Sequence, residues 1–467
     1  MLPFSPQRCA HGLGARLLQT GRPKLFNAAG TDTRKLVKGA LFVAVQGQVD
    51  GERYFADALR AGAAGLVGRR FSPVIRRAAK RRGAWLFQVA DGLAALQSLA
   101  ADQRRLLDCP VVAITGSNGK TGAKDLLAWL LSGNGKTLAT QGNLNNHLGV
   151  PLTLLRAETG LRYAVLEAGM NHAGELARLG RLIKPDVVVE MNVGDAHLGY
   201  FGSRAAVARA KEELLQAMGP GGLAVVNADD PLTAAMGARF KGRRVSFGRR
   251  ATADLRLEKI VDRGALGLTA SARWSAPLGG KPCRLPVRLA QGGKAGWTQA
   301  AAGLAVGLSL GLDPRQLAER LAAWLPSAKL RQELRPLPFG ATAIVDAYNA
   351  SPQSMQAGLD YLAASAPRQR RLAVLGCMLE LGAAAPALHR QLGRQARAAG
   401  VDSLAALGEH AAEIVKGFGR EAAAFTQDQT QEAAAWLRPR LTPRSWVLFK
   451  GSRGLAVERV HDALQGA

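Results

Sequence analysis

Along the chain, short apolar runs alternate with segments whose apolar positions recur at helical spacing, a rhythm that predicts strands separated by helices. Between residues 25 and 108, Leu41-Phe-Val-Ala-Val45 and Gly65-Leu-Val67 read as strands, Tyr54 to Ala61 as a helix and Gly47 to Gly51 as a turn. Asp108-Cys-Pro110 then interrupts the pattern as a hinge. A second series runs through strands Val111 to Thr115, Tyr163 to Glu167, Asp186 to Glu190, Leu223 to Val226 and Val245 to Phe247, with helix spacing over Ala123 to Leu131 and Gly174 to Ile183. Residues 252–290 are richer in β-formers, and an alanine-rich helix follows from Thr298 to Leu310. After a break at Pro326 to Arg335, a third series places strands at Ala343 to Val345, Leu372 to Leu375, Ser403 to Ala406 and Trp446 to Phe449. Its helices fall at Ser354 to Ser365, Pro386 to Ala399 and Thr430 to Leu437. Such β/α alternation predicts α/β domains with a mainly parallel, doubly wound sheet. The expected domains are 1–108, 109–325 and 326–467, and a length of 467 residues suits two to three cores.

The most informative stretch is Val111-Val-Ala-Ile-Thr-Gly-Ser-Asn-Gly-Lys-Thr121. A strand runs into a glycine turn and then into a helix, so the backbone N–H groups of Gly116, Ser117, Asn118 and Gly119 can surround phosphate oxygens at the positive end of a helix dipole. Lys120 adds a charge for the terminal phosphates and Thr121 a hydroxyl ligand for Mg²⁺. The spacing departs from G-x-x-x-x-G-K-[ST], since Ile114 stands where the first glycine would be. An ordinary glycine turn would also join strand to helix, but Lys-Thr at this junction favours a nucleotide-phosphate site.

Composition narrows the class. The four cysteines (Cys9, Cys109, Cys283, Cys377) are widely spaced and form no C-x-x-C pair, so they read as reduced thiols with no structural zinc site. No apolar run reaches the length of a membrane span, and residues 1–21 lack a signal-peptide core, which predicts a cytoplasmic protein without membrane insertion. The net charge is +27, yet its arginines are scattered among alanines, without an aromatic-interleaved basic stripe. A basic surface is the simpler reading, and no nucleic-acid partner is expected.

Three further residues stand near strand ends of the second series. Glu167 closes a strand where open α/β sheets place ligands, and its carboxylate suits Mg²⁺; the plainer alternative is a loop-leading surface Glu. His197 follows the next strand in the same way, although a lone His is more often a structural hydrogen-bonding group. Lys211 sits on a helix beside Glu212 and Glu213, a pattern that by itself reads as a solvated face.

Taken together, the segments Gly116 to Thr121, Gly142-Asn-Leu-Asn-Asn-His-Leu-Gly-Val-Pro151, Glu167 to His172, His197 to Ser203, Ala210 to Leu214, Asp346-Ala-Tyr-Asn-Ala-Ser-Pro352 and Lys450-Gly-Ser-Arg453 resemble the Mur ligase family over residues 32–458. The resemblance implies a three-domain architecture: an N-terminal UDP-substrate domain, a central P-loop ATPase and a C-terminal Rossmann-like domain. It implies a monomer acting on small molecules: ATP, a UDP-N-acetylmuramoyl-tripeptide and D-alanyl-D-alanine. An acyl phosphate forms first and the amine then displaces phosphate. Lys120, Lys211 and His197 take catalytic roles in that resemblance, and Thr121, Glu167, His197 and a carbamylated Lys211 hold Mg²⁺. Arg331 and Asp346 join the phosphate loop in binding ATP. Thr33, Arg34, Asn143, Asn146, Tyr348, Asn349, Lys450 and Arg453 match substrate positions.

Several positions depart from the family pattern. The adenine-reading Gly-x-His-Asn-x-x-Asn is replaced so that Ala295, Gly296 and Gln299 stand at its His, Asn and Asn, and Leu330 replaces a glycine before Arg331. Two alternatives accompany the precursor ligase: a paralogue joining another acid and amine, or a non-catalytic nucleotide- or precursor-binding homologue.

Overall fold

The computed structural model describes residues 4–194, 198–275, 284–326 and 328–466. The chain divides into two compact units, one formed by Met1–Ile114, Leu131–Val188 and Glu213–Gly222, the other by Thr115–Leu130, Val189–Glu212 and Leu223–Ala467.

In the first unit, β1 (Arg16–Gln19), β2 (Ala29–Gly30), β3 (Leu41–Val43), β4 (Gly65–Gly68) and β5 (Trp85–Gln88) form a sheet in the order β1-β5-β4-β3-β2. Only β1 runs antiparallel. Phe42, Phe55, Leu59 and Leu66 pack against it as one apolar layer. The same unit holds the parallel strands β6 (Val111–Thr115, all but its last residue), β7 (Thr137–Ala139) and β8 (Tyr163–Glu167), with β8 between the other two. Every residue of β6 and β8 is buried, as expected for parallel strands covered on both faces.

In the second unit, β9 (Val187–Glu190) contributes its last residues, and β10 (Leu223–Asn227), β11 (Arg243–Gly248) and β12 (Leu255–Asp262) pair in parallel. β13 (Leu268–Trp274) and β14 (Arg284–Leu289) extend them as an antiparallel meander, which accounts for the β-rich, less periodic stretch of sequence. The alanine-rich helix begins at Gly293, five residues before the spacing suggests. A residue remote in sequence sets that start, because the Asp262 carboxylate accepts from the Gly293 N–H at 2.8 Å. The final sheet takes the order β15-β16-β20-β17-β18-β19, where β15 is Glu333–Pro336, β16 Thr342–Asp346, β17 Arg371–Gly376, β18 Ser403–Leu407, β19 Ala422–Phe425 and β20 Trp446–Lys450. Its strands are parallel apart from β15. The mixed α/β class expected from the sequence is the class observed. Strand β19 and the helix Ala411–Phe418 were not legible, being short and built from residues that fit either state.

Candidate active site

Strand β6 delivers the chain into the phosphate loop, and the helix Lys120–Ser132 begins at its end. Gly119 takes φ +79°, the left-handed conformation that favours glycine, and a β-carbon on Gly116 would stand 2.8 Å from Met191 Cβ. The segment after β9 clamps the loop. Ser117 N donates to Asn192 O at 3.0 Å, Asn118 N to Asn192 Oδ1 at 2.9 Å, and Asn192 Nδ2 to Asn118 O at 2.9 Å. Gly194 N donates to Ser117 Oγ at 2.8 Å. These bonds fix the loop's shape in advance, which lowers the ordering cost of binding. Lys120 Nζ donates to Gly116 O at 2.7 Å, so its ammonium lies over the loop, and Thr121 is buried in the helix's first turn.

Two elements close on this loop. A β-carbon on Gly194 would collide with Gln353 Oε1 and stand 3.1 Å from Asn118 Nδ2, so the Gln353 side chain lies beside the phosphate loop. Gln299 packs over Gly122 on the other side, within 2.8 Å of where a β-carbon there would lie.

Lys211, on the helix Arg204–Gln216, is only 3% exposed, so the solvated-face reading of its neighbourhood fails for this residue. Glu212 turns outward to Arg239 instead, with Arg239 Nη2 2.8 Å from Glu212 Oε2. Burial pulls the Lys211 ammonium down to about 7; Lys120 lowers it further and Glu190 opposes the shift. Glu190 closes β9 at 0% exposure, and burial pushes its carboxyl up to about 8 against the attraction of Lys211. Sequence reasoning passed over Glu190 as a strand residue; an acid ending an otherwise apolar Val187-Val-Val189 run was the available signal.

In the first unit, Glu167 ends β8 at 1% exposure. Its Oε1 accepts from Asn145 Nδ2 at 2.8 Å, its backbone N–H donates to Thr140 Oγ1 at 3.0 Å, and its Oε2 is buried with no hydrogen-bond partner. An oriented carboxylate with one oxygen unspent fits a divalent cation. Asn145, missed in the sequence, is the asparagine that orients it. Asn143 is exposed, while Asn146 Oδ1 accepts from Gly149 N at 2.9 Å and so starts the helix Gly149–Leu154. Thr33 and Arg34 lie in a short 3₁₀ turn capped by Asp32, whose carboxyl is held down to about 2, chiefly by hydrogen bonding from the Arg34 side chain.

In the second unit, Lys450 Nζ sits 2.6 Å from Asp346 Oδ2 and donates to Asn349 O at 3.2 Å; at 2% exposure it anchors the Asp346-to-Asn349 loop. The Arg331 guanidinium lies 3.9 Å over the Tyr348 ring, and Arg453 pairs with Glu458. Leu330 holds φ +59°, a left-handed conformation that explains why glycine suits this position. Among the described residues Cys9, Cys109 and Cys377 are free thiols, no three His, Cys, Asp or Glu side chains form a metal cage, and no helix is long and apolar enough to cross a membrane. His197 and Cys283 lie outside the described residues.

A strand, a clamped phosphate loop and a helix N-terminus, followed by a Rossmann-like sheet, define a nucleotide-dependent enzyme. The chain matches the Mur ligase middle domain over residues 114–270 and the Mur ligase glutamate ligase domain over 331–453. It is 36% identical to the UDP-N-acetylmuramoyl-tripeptide–D-alanyl-D-alanine ligase of Mycobacterium tuberculosis, across 99% of this chain and 94% of the relative. MurF from Acinetobacter baumannii superposes with a TM-score of 0.88 at 29% identity, covering 100% of this chain and 99% of that one. MurF ligase from Thermotoga maritima, solved in complex with ADP, gives 0.81 at 28% identity over 94% and 97% of the two chains. The chain belongs to the Mur ligase family, and it is a ligase.

Proposed function

We propose that this ligase joins D-alanyl-D-alanine to a UDP-N-acetylmuramoyl-tripeptide at the expense of ATP, in peptidoglycan precursor synthesis. The observation that carries the reading is the buried Lys211 within electrostatic reach of Lys120 on a preformed phosphate loop. The tripeptide carboxylate oxygen attacks the γ-phosphorus and ADP leaves, giving an acyl phosphate. The amine nitrogen of the dipeptide then attacks the acyl carbon; inorganic phosphate departs, and the nitrogen sheds its protons to solvent. Lys120 and the loop N–H groups hold the charge that builds on the transferring phosphoryl group.

Mg²⁺, when bound, neutralises phosphate charge and polarises the γ-phosphoryl group. Thr121, Glu167, His197 and Lys211 are the residues proposed to hold it. An ammonium offers no lone pair to a cation, so Lys211 serves as its carbamate. Its neutral amine attacks CO₂, the N–C bond forms, one C=O pair moves to oxygen and the nitrogen loses a proton to solvent. Burial brings that amine down to about 7, so a share of it is neutral near neutral pH.

Arg331 and Asp346 complete the nucleotide site, with Lys450 fixing Asp346. Thr33 and Arg34 serve the uridine end, and Asn143, Asn146, Tyr348, Asn349 and Arg453 the peptide and amine. The division into 1–108, 109–325 and 326–467, a monomeric state and a cytoplasmic location belong to the same reading. Phosphate release from the purified protein, measured across acid and amine partners, tests it. Release that requires both the UDP-linked tripeptide and D-alanyl-D-alanine is expected; release with another pair alone rejects the substrates.

A further inference from the structure

Strands β17 and β20 are parallel neighbours, and two loops leave their carboxyl ends side by side, where open α/β sheets place their ligands. A β-carbon on Gly451 would stand 3.0 Å from Gly376 Cα, so the two backbones are in close contact. The first loop opens with the turn Cys377-Met-Leu379, and the second carries Ser452 and Arg453. Ser452, itself buried, ties them together. Its N–H donates to Cys377 O at 3.3 Å, and its hydroxyl accepts from Leu379 N at 3.1 Å.

The middle N–H of that turn goes to His389, a fully buried residue of the helix Ala385–Ala398. His389 Nε2 accepts from Met378 N at 2.9 Å. On the other side of the ring, Nδ1 lies 2.7 Å from Ala385 O. A carbonyl oxygen only accepts, so Nδ1 carries the hydrogen and Nε2 offers its lone pair. The imidazole is therefore neutral, with both nitrogens engaged, and an apolar residue of the same size would leave the Met378 N–H buried without a partner. The turn is thus gripped from two sides, by His389 at Met378 and by Ser452 at Cys377 and Leu379. The Arg453 guanidinium beyond it is exposed and pairs with the largely buried Glu458, so its place depends on how its loop is held. We propose that His389 is a positioning residue of the ligase: through Met378 and then Ser452, its imidazole fixes the loop that presents Arg453 to substrate. The inference rests on the assignment of Arg453 to a substrate under the proposed function.

The test measures KM for ATP, for the UDP-linked tripeptide and for D-alanyl-D-alanine in the full-length protein. Arg453→Ala first identifies which of the two amide partners Arg453 serves. His389→Asn keeps a donor near Ala385 O but is too short to accept from Met378 N. It is expected to raise the same KM by about threefold to tenfold, on the order of one lost hydrogen bond, and to leave the KM for ATP unchanged. His389→Gln brings an amide oxygen to the position of Nε2 and should restore most of the loss. In the double variant, His389→Asn should add little to Arg453→Ala, since the loop then has no guanidinium to present. Thermal unfolding identifies a variant that fails to fold; if His389→Asn does, Ser452→Ala, which opens the turn from its other side, takes its place in the same cycle. If Arg453→Ala raises one KM and the folded partner variant does not, or raises all three alike, His389 only packs the core and the inference falls alone. If Arg453→Ala leaves both amide partners unaffected, the substrate assignment of Arg453 falls and the inference with it.

Discussion

The amide of Gln299 occupies the space that a side chain on Gly122 would need, 2.8 Å from Oε1 to an ideal β-carbon there. Gly122 lies in the first turn of the helix Lys120–Ser132, so the two residues are a matched pair: the longer amide fits because its neighbour has no side chain. Gly122→Ala should therefore displace either the amide or the first helical turn behind the phosphate loop and raise the KM for ATP by about twofold to tenfold, on the order of one misplaced hydrogen bond. Gln299→Asn, shorter by a methylene, should restore much of the loss in the double variant. Steady-state kinetics on the two single variants and the double would show the coupling; additive effects would mean that the contact is idle.

Lys120 lies over its own loop, hydrogen-bonded to Gly116 O at 2.7 Å, and in the proposed reaction it serves the terminal phosphates of the nucleotide. Lys120→Ala should lower kcat by at least roughly a hundredfold, because charge on the transferring phosphoryl group loses its stabilising partner. The loop's shape depends instead on Asn192 and Ser117, so thermal unfolding should stay close to that of the parent protein. A folded Lys120→Ala protein with parental turnover would remove Lys120 from the chemistry.

For Lys211 the expected loss is complete, and the manner of its recovery is diagnostic. Lys211→Ala removes the amine proposed to carry the N-carboxylate, and small carboxylates such as acetate should restore part of the activity by supplying the missing oxygen ligands. The pH dependence has a definite sign. Only the neutral amine captures CO₂, and burial brings the lysine down to about 7, so carbamate occupancy at fixed dissolved CO₂ should climb through neutrality. An ordinary lysine would delay that climb to about pH 10. A ¹³C carbamate signal followed against pH distinguishes the two. Full activity of Lys211→Ala without added carboxylate would return the residue to a structural role.

Much of this site could be read from the chain because it rests on local pattern. Val111 to Thr121 states its own strand, turn and helix, and Glu167 ends a strand whose five residues are all apolar or buried. What escaped the sequence depends on contacts between distant residues. Asn192 clamps Asn118 from 74 positions away, and Asn145 orients Glu167 from 22. Lys211 carries the same Lys-Glu-Glu signature as a solvated helix face, and only its packing shows that it is buried. Glu190 escaped because one polar residue at the end of an apolar run is an ordinary strand ending. Its two unpartnered oxygens are a property of the folded interior alone.

The base of the nucleotide gives the last expectation. An amide side chain reads adenine by accepting from its exocyclic amine while donating to a ring nitrogen. Gly296 has no side chain to do either, and the Gln299 amide is turned against Gly122. The phosphate loop is intact, so triphosphate binding should persist while discrimination between bases weakens. Each lost contact is worth about 0.5–1.5 kcal/mol, or roughly tenfold at most, and measurable turnover with GTP follows. The two positions differ in how readily they accept an asparagine. A β-carbon on Gly296 would stand 3.2 Å from Gln291 O, a backbone atom that yields only if the turn shifts, whereas Gln299→Asn shortens an existing side chain. Gln299→Asn is thus the substitution expected to sharpen preference for ATP, and Gly296→Asn to cost stability. Competition between ATP and GTP in the phosphate-release assay measures both effects. Preference for ATP by several orders of magnitude in the unmodified protein would mean that other residues read the base.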